Sequence, residues 1–520
     1  MSTFGGIGFG SLSSGVTSGG TLCQLLALGA IDAALTLNPE VTYWRAKIQK
    51  CTNFAMESIT QTFNGTCTWG SDAQVTLNKT GDLVYWIYIL IDIPGIKAAA
   101  CNRSSSNGFD TQRLQRFPYA KVCDACDDGR RKKNCSNSSS DYSSRSSSSS
   151  SYDSTSNSAS SFGSSSSVGS SSSGSFDSND SDSSCGCDER ADEFGLRRPF
   201  CNWVDAIGFA ALHRVAYSIG GQVIDTLFCH YLNMWEELAG QPGKRLEEMI
   251  GHCPFPNRAE LVAASQKNRR LYVPIPFEFA RHSGNALPLV SIQFHSLCLH
   301  VTFNPLHKLI QVSDCDVVVV KTCDGHPITD NDMRAMVDTT YVYLDQEERD
   351  RFAVGCFTQL IPTVQHYQMT GNCSATLTAN LNFNHACIEM FWAVQRQCQV
   401  VANNTFDYSG AWGRDPITRA KLLVNNLTRF DREAEYFRLV QPYQHHTNIP
   451  RSFIYNYSFS IHPEDCQPGA SLNWSKIDNI EFSVCLQDAI ASTQVNMYLF
   501  SRVWNLVKYK LGLGGVIFAN

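Results

Sequence analysis

Short runs of β-branched and aromatic residues, cut at intervals by turn formers, set the pattern of this chain. Val41-Thr-Tyr-Trp, Ala73-Gln-Val-Thr-Leu and Leu83-Val-Tyr-Trp-Ile-Tyr-Ile-Leu read as strands, because such side chains fit a pleated, half-buried surface. Asn64-Gly65 and Thr80-Gly81-Asp82 separate them as turns. The pattern resumes at 209–221, 223–230, 271–279, 291–303 and 315–320, and again at 357–367, 389–401, 452–462 and 480–486. Pro274 and Pro276 place the 271–279 run at an edge or corner, since proline cannot donate to a ladder. The apolar stretch Leu83–Ala100 is interrupted by Asp92 and Pro94. It is therefore expected as a long buried strand rather than a membrane span, which needs ~20 apolar residues. Helical signals are few: Tyr231–Ala239, and the segment Asp345-Gln-Glu-Glu-Arg-Asp-Arg-Phe, where Asp345 can cap and Glu348 follows three residues on. Many strands, frequent turns and few helices predict an all-β protein of sandwiches or jelly rolls.

At 520 residues the chain exceeds the ~250–300 residues at which a single core stops growing, so at least two domains are expected. The charged helical segment 345–356 is the predicted linker between a first β domain, 25–344, and a second, 357–520. Residues 1–24 form a small-residue arm. Its Gly5, Gly6, Gly8 and Gly10 superficially suggest a phosphate loop, but no strand pattern precedes them and no helix pattern follows. Between 134 and 184 the chain is mostly serine, with Asn, Asp and Gly. Such a tract cannot bury enough apolar surface to offset the entropy of ordering, and is expected as a disordered surface insertion.

Ordered blocks of residues carry a resemblance across nearly the whole chain. Gly20-Thr-Leu-Cys-Gln-Leu-Leu-Ala-Leu-Gly-Ala-Ile-Asp32, Leu37-Asn-Pro-Glu-Val-Thr-Tyr-Trp44 and Thr52-Asn-Phe-Ala-Met-Glu57 open it. Ile219-Gly-Gly-Gln-Val-Ile-Asp225, Met234-Trp-Glu-Glu-Leu238, Tyr272-Val-Pro-Ile-Pro-Phe277, Ala286-Leu-Pro-Leu289 and Gln293-Phe-His295 follow. Tyr341–Phe352, Asn382-Phe-Asn-His385, Arg438–Thr447, Tyr457-Ser-Phe-Ser460 and Pro463-Glu-Asp-Cys-Gln-Pro468 complete it. Together these blocks resemble the major capsid proteins of nucleocytoplasmic large DNA viruses. The resemblance implies two tandem eight-stranded antiparallel jelly rolls, a double jelly roll, with the serine tract inserted in the first. It implies a structural protein with no catalytic residues and no cofactor. It also implies pseudo-hexameric homotrimers tiling an icosahedral virion shell over an internal membrane, made and assembled in the host cytoplasm. The expected partners are neighbouring capsomers, minor capsid and penton proteins and, indirectly, the inner membrane. The alternatives are a double jelly-roll scaffold of immature virions and a lectin-like glycan-binding jelly roll. Three departures stand out: the serine tract exceeds the loop expected there, Glu278 occupies a position expected to be aromatic, which puts local packing in question, and cysteines are dense near the tract.

Charge and candidate chemistry adjust this picture only slightly. The net charge is -6 and the first charged residue is Asp32. The basic arm that direct genome contact usually needs is missing, so no direct nucleic-acid partner is expected. No Gly-x-Ser-x-Gly, His-Glu-x-x-His or Walker-type motif occurs. His445-His446 is expected to pack or turn rather than bind a metal, because neighbours on a strand point to opposite faces. The N-terminus lacks a secretory pattern, so the 21 cysteines are expected as reduced thiols, and the Asn64, Asn78, Asn426 and Asn473 sequons as chance matches. Cys123-Asp-Ala-Cys126 and Cys185-Gly-Cys187 bracket the serine tract. Each pair can give two thiolates to a tetrahedral ion, which makes a structural zinc closing the base of the tract the one candidate metal site. The expected outcome is about one zinc per chain after chelator-free purification, measured by plasma emission spectrometry; a content far below stoichiometric would remove the site.

Overall fold

The computed structural model describes residues 48–100, 120–121, 200–244, 246–253, 258–312 and 318–518, with scattered positions from 38 to 46. The first half contains β1 (Phe54–Thr62), β2 (Asp72–Thr76), β3 (Leu83–Ile93), β4 (Leu212–Ile219), β5 (Gln222–Phe228), β6 (Arg269–Pro274), β7 (Leu287–Pro288), β8 (Leu297–Phe303) and β9 (Arg334–Leu344). One antiparallel sheet runs β1-β9-β3-β7, with β6 also on β3; the other runs β2-β8-β4-β5. The second half contains β10 (Phe357–Asn372), β11 (Thr376–Asn380), β12 (Ala386–Arg396), β13 (Ile417–Val424), β14 (Leu427–Glu433), β15 (Tyr455–Ser458), β16 (Ile480–Leu486) and β17 (Val495–Lys510). Its sheets run β10-β17-β12-β15 and β11-β16-β13-β14. The two orders are the same: first strand beside last, second beside next to last. Each half is a jelly-roll sandwich, and the chain is a double jelly roll.

Burial follows from what covers each face. In β16 the pattern alternates, with Ile480, Phe482, Val484 and Leu486 inward, as for a sheet with one wet side. In β12, by contrast, Cys387–Gln395 are buried without a break, and in β17 so are Val495–Asn505. One face of these strands, including Met390, Trp392 and Val394, fills the second sandwich's own core. The opposite face, including Phe391, Ala393, Tyr498 and Phe500, joins the core of the first sandwich. The sheet is thus the middle layer of a larger stack.

Most predicted strands fall where the pattern placed them, and the exceptions have local causes. The Leu83–Ala100 run breaks at Pro94-Gly95 into β3 and a strand at Ile96–Ala100. Gly95 donates its amide to Asn268 Oδ1 at 2.7 Å, and a Cβ there would sit 2.5 Å from Gln266 O. The 209–221 run opens with a helix at Ile207–Ala211, and the 389–401 run ends in one at Gln397–Val401. Among its described positions, Val41–Trp44 forms no strand: Thr42 Oγ1 accepts from the Trp44 amide at 3.4 Å. Of the 271–279 run only the part up to Pro274 is strand, as β6 pairing with β3; a helical turn begins at Glu278. The helix α1 (Cys229–Ala239) begins two residues before its predicted start, and α2 (Gln346–Val354) is capped by Asp345 through the Glu347 amide. The His pair is not on a strand. His445 ends α3 (Gln441–His445), which follows a π-helical turn at Tyr436–Val440, and His446 is the next residue.

Trp392 anchors the second core, with its ring 5.3 Å from Phe437, 6.1 Å from Tyr455 and 4.9 Å from Phe482. Its Nε1 has no hydrogen-bond partner. Trp392→Ala is expected to cost about 3–5 kcal/mol and Trp392→Phe clearly less, measured by chemical denaturation.

Candidate functional site at the junction of the sandwiches

The first sandwich reaches the second through the end of β5 and the helix α1. Phe228 lies 4.0 Å from the His366 ring, and His230 stacks on Tyr498 at 3.8 Å. Tyr231 packs against Phe391 at 5.5 Å and Phe500 at 5.7 Å. The helix forms here because β5 ends on a residue of extended backbone, Phe228. Its buried side chains Tyr231, Leu232, Met234, Trp235 and Leu238 recur at helical spacing. Aromatic pairs in such geometry add about 0.5–1.5 kcal/mol each beyond the area they bury.

A buried ionic network lies next to this aromatic contact. Glu389 on β12 faces Arg502 on β17 in register, with Nη1 to Oε1 at 2.6 Å. The other Glu389 oxygen lies 2.8 Å from His446 Nε2 and accepts from Asn456 Nδ2 at 3.0 Å. His446 Nδ1 lies 2.8 Å from Glu464 Oε1, which also accepts the Thr447 amide at 2.9 Å. Arg502 Nη1 further donates to Pro463 O at 3.0 Å, whereas its Nε and Nη2 have no hydrogen-bond partner. Instead the guanidinium lies over the Trp235 ring, 4.2 Å from its centroid, and Arg281 lies over the same tryptophan at 4.3 Å. The indole between two cations supplies the attraction that missing acceptors would otherwise have to supply. Arg281 Nη2 donates to Glu464 O at 3.1 Å, so the network joins both sandwiches. Glu278, where an aromatic was expected, is a buried carboxylate 3.5 Å from Arg281 and hydrogen-bonded by Asn285 Nδ2. Packing is preserved because the charge is paired.

Burial alone would push Glu389 up, but the His446 and Arg502 charges and hydrogen bonds outweigh it and hold the carboxyl well below its usual range. Burial would likewise depress His446, yet Glu389 and then Glu464 raise it to about 9. The imidazole is therefore a fixed cation at neutral pH rather than a proton-transfer group.

A second feature of the junction is a cavity of about 500 Å³, bordered by His213, His230, Lys308, His366, Gln395 and Asn496 among others. His230 Nδ1 lies 3.0 Å from Tyr408 Oη, and burial pushes this imidazole down to about 3. No carboxylate or thiol pairs with a histidine there among the described lining residues, so the cavity lacks a general-base or nucleophile arrangement. Among the described residues no group of three His, Cys, Asp or Glu could hold a metal. Cys123, Cys126, Cys185 and Cys187 lie outside the described residues. Burial pushes the Cys201 thiol up to about 12 and the Cys229 thiol up to about 11. The junction joins the two sandwiches through buried aromatic and ionic contacts.

The chain matches two family models in tandem. Residues 42–115 and 184–345 match the major capsid protein N-terminus, and residues 348–515 match the large eukaryotic DNA virus major capsid protein. The chain belongs to this family of viral major capsid proteins. The stretch between the two matched N-terminal pieces holds the serine tract. This capsid protein is 24% identical to a major capsid protein of Chrysochromulina ericina virus, over 96% of this chain and 100% of that one. It is 23% identical to the major capsid protein of Paramecium bursaria Chlorella virus 1, over 96% and 100%. In structure it superposes on a chain of the quasi-atomic PBCV-1 virus capsid with TM-score 0.62 at 20% identity, covering 92% of this chain and 100% of that one. The Faustovirus major capsid protein gives TM-score 0.60 at 10% identity, over 94% and 96%. These relatives are structural proteins, not enzymes.

The ionic network escaped the sequence reading of this capsid protein, although a signal was present. Glu389 sits inside Ala386-Cys-Ile-Glu-Met-Phe-Trp-Ala-Val and Arg502 inside Val495-Asn-Met-Tyr-Leu-Phe-Ser-Arg-Val-Trp, and charges in such runs are buried only when paired. Of the two histidines, His446 has the fully buried side chain; His445 is half-buried, its Nδ1 3.0 Å from Ile461 O.

Glu389→Gln removes the countercharge of both Arg502 and His446 and is expected to cost about 3–5 kcal/mol. Because the folded His446 is raised, its contribution is complete below the unfolded value of 6.5 and is lost as pH rises through about 9. Because the folded Glu389 is lowered, its contribution is present above 4.5 and is lost on acidification. Denaturation at about pH 6 and about pH 9 should show wild type weakening between them and Glu389→Gln weakening much less.

Proposed function

We propose that this capsid protein works as a homotrimer of pseudo-hexagonal outline that tiles an icosahedral shell. The observation that carries this reading is the repeat of one strand order in two sandwiches joined by a shared apolar core. Three such chains around a threefold axis present six similar bodies, and heterologous contacts of this kind close into a ring. In this reading residues 1–24 are an inner arm, 25–344 and 357–520 the two jelly rolls, 345–356 their linker, and 134–184 an exposed outer feature. The shell lies over an internal membrane, which fits a chain of net charge -6. Neighbouring capsomers, minor capsid and penton proteins are the further partners, and synthesis and assembly take place in the host cytoplasm.

Light scattering of purified protein should give three chains per particle, and negative-stain images should show a hexagonal outline. A stable monomer at all accessible concentrations would overturn the proposal.

A further inference from the structure

Beyond the aromatic contact with Tyr231, the sheet of the second sandwich changes character along its strands. On β17, alternate residues run from Phe500 through Tyr498 to Asn496, and Gln494 continues the row just before the strand. On β10, His366 pairs with Phe500 and Gln368 with Tyr498, and Thr370 follows two positions on. Residues two apart share a face, so one face passes from rings to amides and a hydroxyl. β10 leaves register after Met369, where Asn496 Oδ1 accepts the Gly371 amide at 2.8 Å. This polar end of the sheet borders the cavity of about 500 Å³.

The first sandwich brings cations to the same place. His213 and Arg214 lie at the start of β4, and Lys308 ends the short helical turn Leu306–Lys308 that follows β8. His213 and Lys308 border the cavity; Arg214 borders an adjoining groove that shares His213 and His366 with it. No Asp or Glu occurs among the described residues lining the cavity, and the groove has Asp72, which accepts from Thr302 Oγ1. The side chains of Lys308, Arg214, His213 and His366 make no hydrogen bond or ion pair with any described residue. The side-chain amides of Gln368, Gln397 and Gln494 make none either. Polar groups in a recess ordinarily find partners, and here a whole set is left open with one sign of charge. Recessed charges of one sign focus their field on the space between them.

We infer that this cavity binds a sugar carrying one oxyanion, a sulfate, phosphate or carboxylate. Lys308, His213 and His366 take the charged group, and the open amides take the hydroxyls. A volume of about 500 Å³ falls in the ~300–1,000 Å³ range of small-molecule sites and exceeds what a bare oxyanion fills. A side-chain amide offers donor and acceptor side by side, as neighbouring hydroxyls require. The rings at the site already meet histidines, Tyr498 with His230 and Phe228 with His366, which favours a sugar over a base that needs a ring to stack on. Burial, Lys308 and Arg214 hold His213 below the usual imidazole range, against the pull of Asp72. Burial and then His213 do the same to His366. An oxyanion between them favours the protonated form of both.

The test is calorimetric titration of the purified full chain with glucose 6-sulfate, glucuronate, inorganic sulfate and glucose. Glucose 6-sulfate and glucuronate are expected to bind saturably, inorganic sulfate more weakly and glucose not at all. Binding should tighten from about pH 7.5 to about pH 5.5, because the imidazoles take up protons with the anion. Lys308→Gln, at an exposed position, should weaken binding about tenfold and leave thermal unfolding unchanged. Lys510→Gln, exposed at the other end of β17, should change neither. Inorganic sulfate binding as tightly as glucose 6-sulfate would overturn the sugar and leave an oxyanion site only. No binding of either charged sugar, or binding indifferent to both pH and Lys308→Gln, would overturn the inference altogether.

Discussion

Arg502 sets the terms for the junction. A guanidinium with 1% of its side chain exposed must be met by charge, by hydrogen-bond acceptors or by a ring face, because desolvating it otherwise costs several kcal/mol. Glu389 meets it with charge, Pro463 with a carbonyl and Trp235 with a ring. Each of these comes from a different element, and Trp235 belongs to the other sandwich. Satisfying one buried cation therefore fixes the position of β12, β17, the segment around Pro463 and α1 together. Dispersion and burial supply most of the adhesion at the junction, but they are indifferent to small slides. The ionic network is not, and it selects one register among the many that greasy surfaces would allow.

The same logic explains which parts of the structure could be read from the chain. Alternating runs such as Ile480–Leu486 announce a strand with one wet face, and they are found where expected. Pro274 correctly marked an edge. Continuous apolar runs are less informative, because a strand buried on both faces does not say what lies on the second one. Ala386–Val394 and Leu83–Leu90 look alike in sequence; the first is buried from Cys387 onward, whereas the second carries the exposed Trp86. Short helices at Ile207–Ala211 and Gln397–Val401 were missed because five positions are too few to tell a helical from a strand period.

The junction was less legible still. Ring contacts such as Tyr231 with Phe391 join residues far apart in the chain, and a single sequence carries no record of such pairing. Glu389, Arg502 and His446 were each visible as unusual: two charges in apolar strands and one of a histidine pair. Their convergence was not. The strand argument for the histidines also failed in its premise, since they end a helix, although the packing role it gave them matches the place of His446.

Covalent connection through α2 has a thermodynamic meaning of its own. Two sandwiches on one chain meet at an effective concentration of about millimolar or more, whatever the dilution of the protein. Their contact bears no translational entropy cost on association and survives at concentrations where free bodies would separate. In the proposed ring, half of the six similar seams would be of this tethered kind and half would obey mass action. A shell made so has a built-in order of failure: dilution would part chain from chain while each pair of rolls stayed whole, ready to be used again.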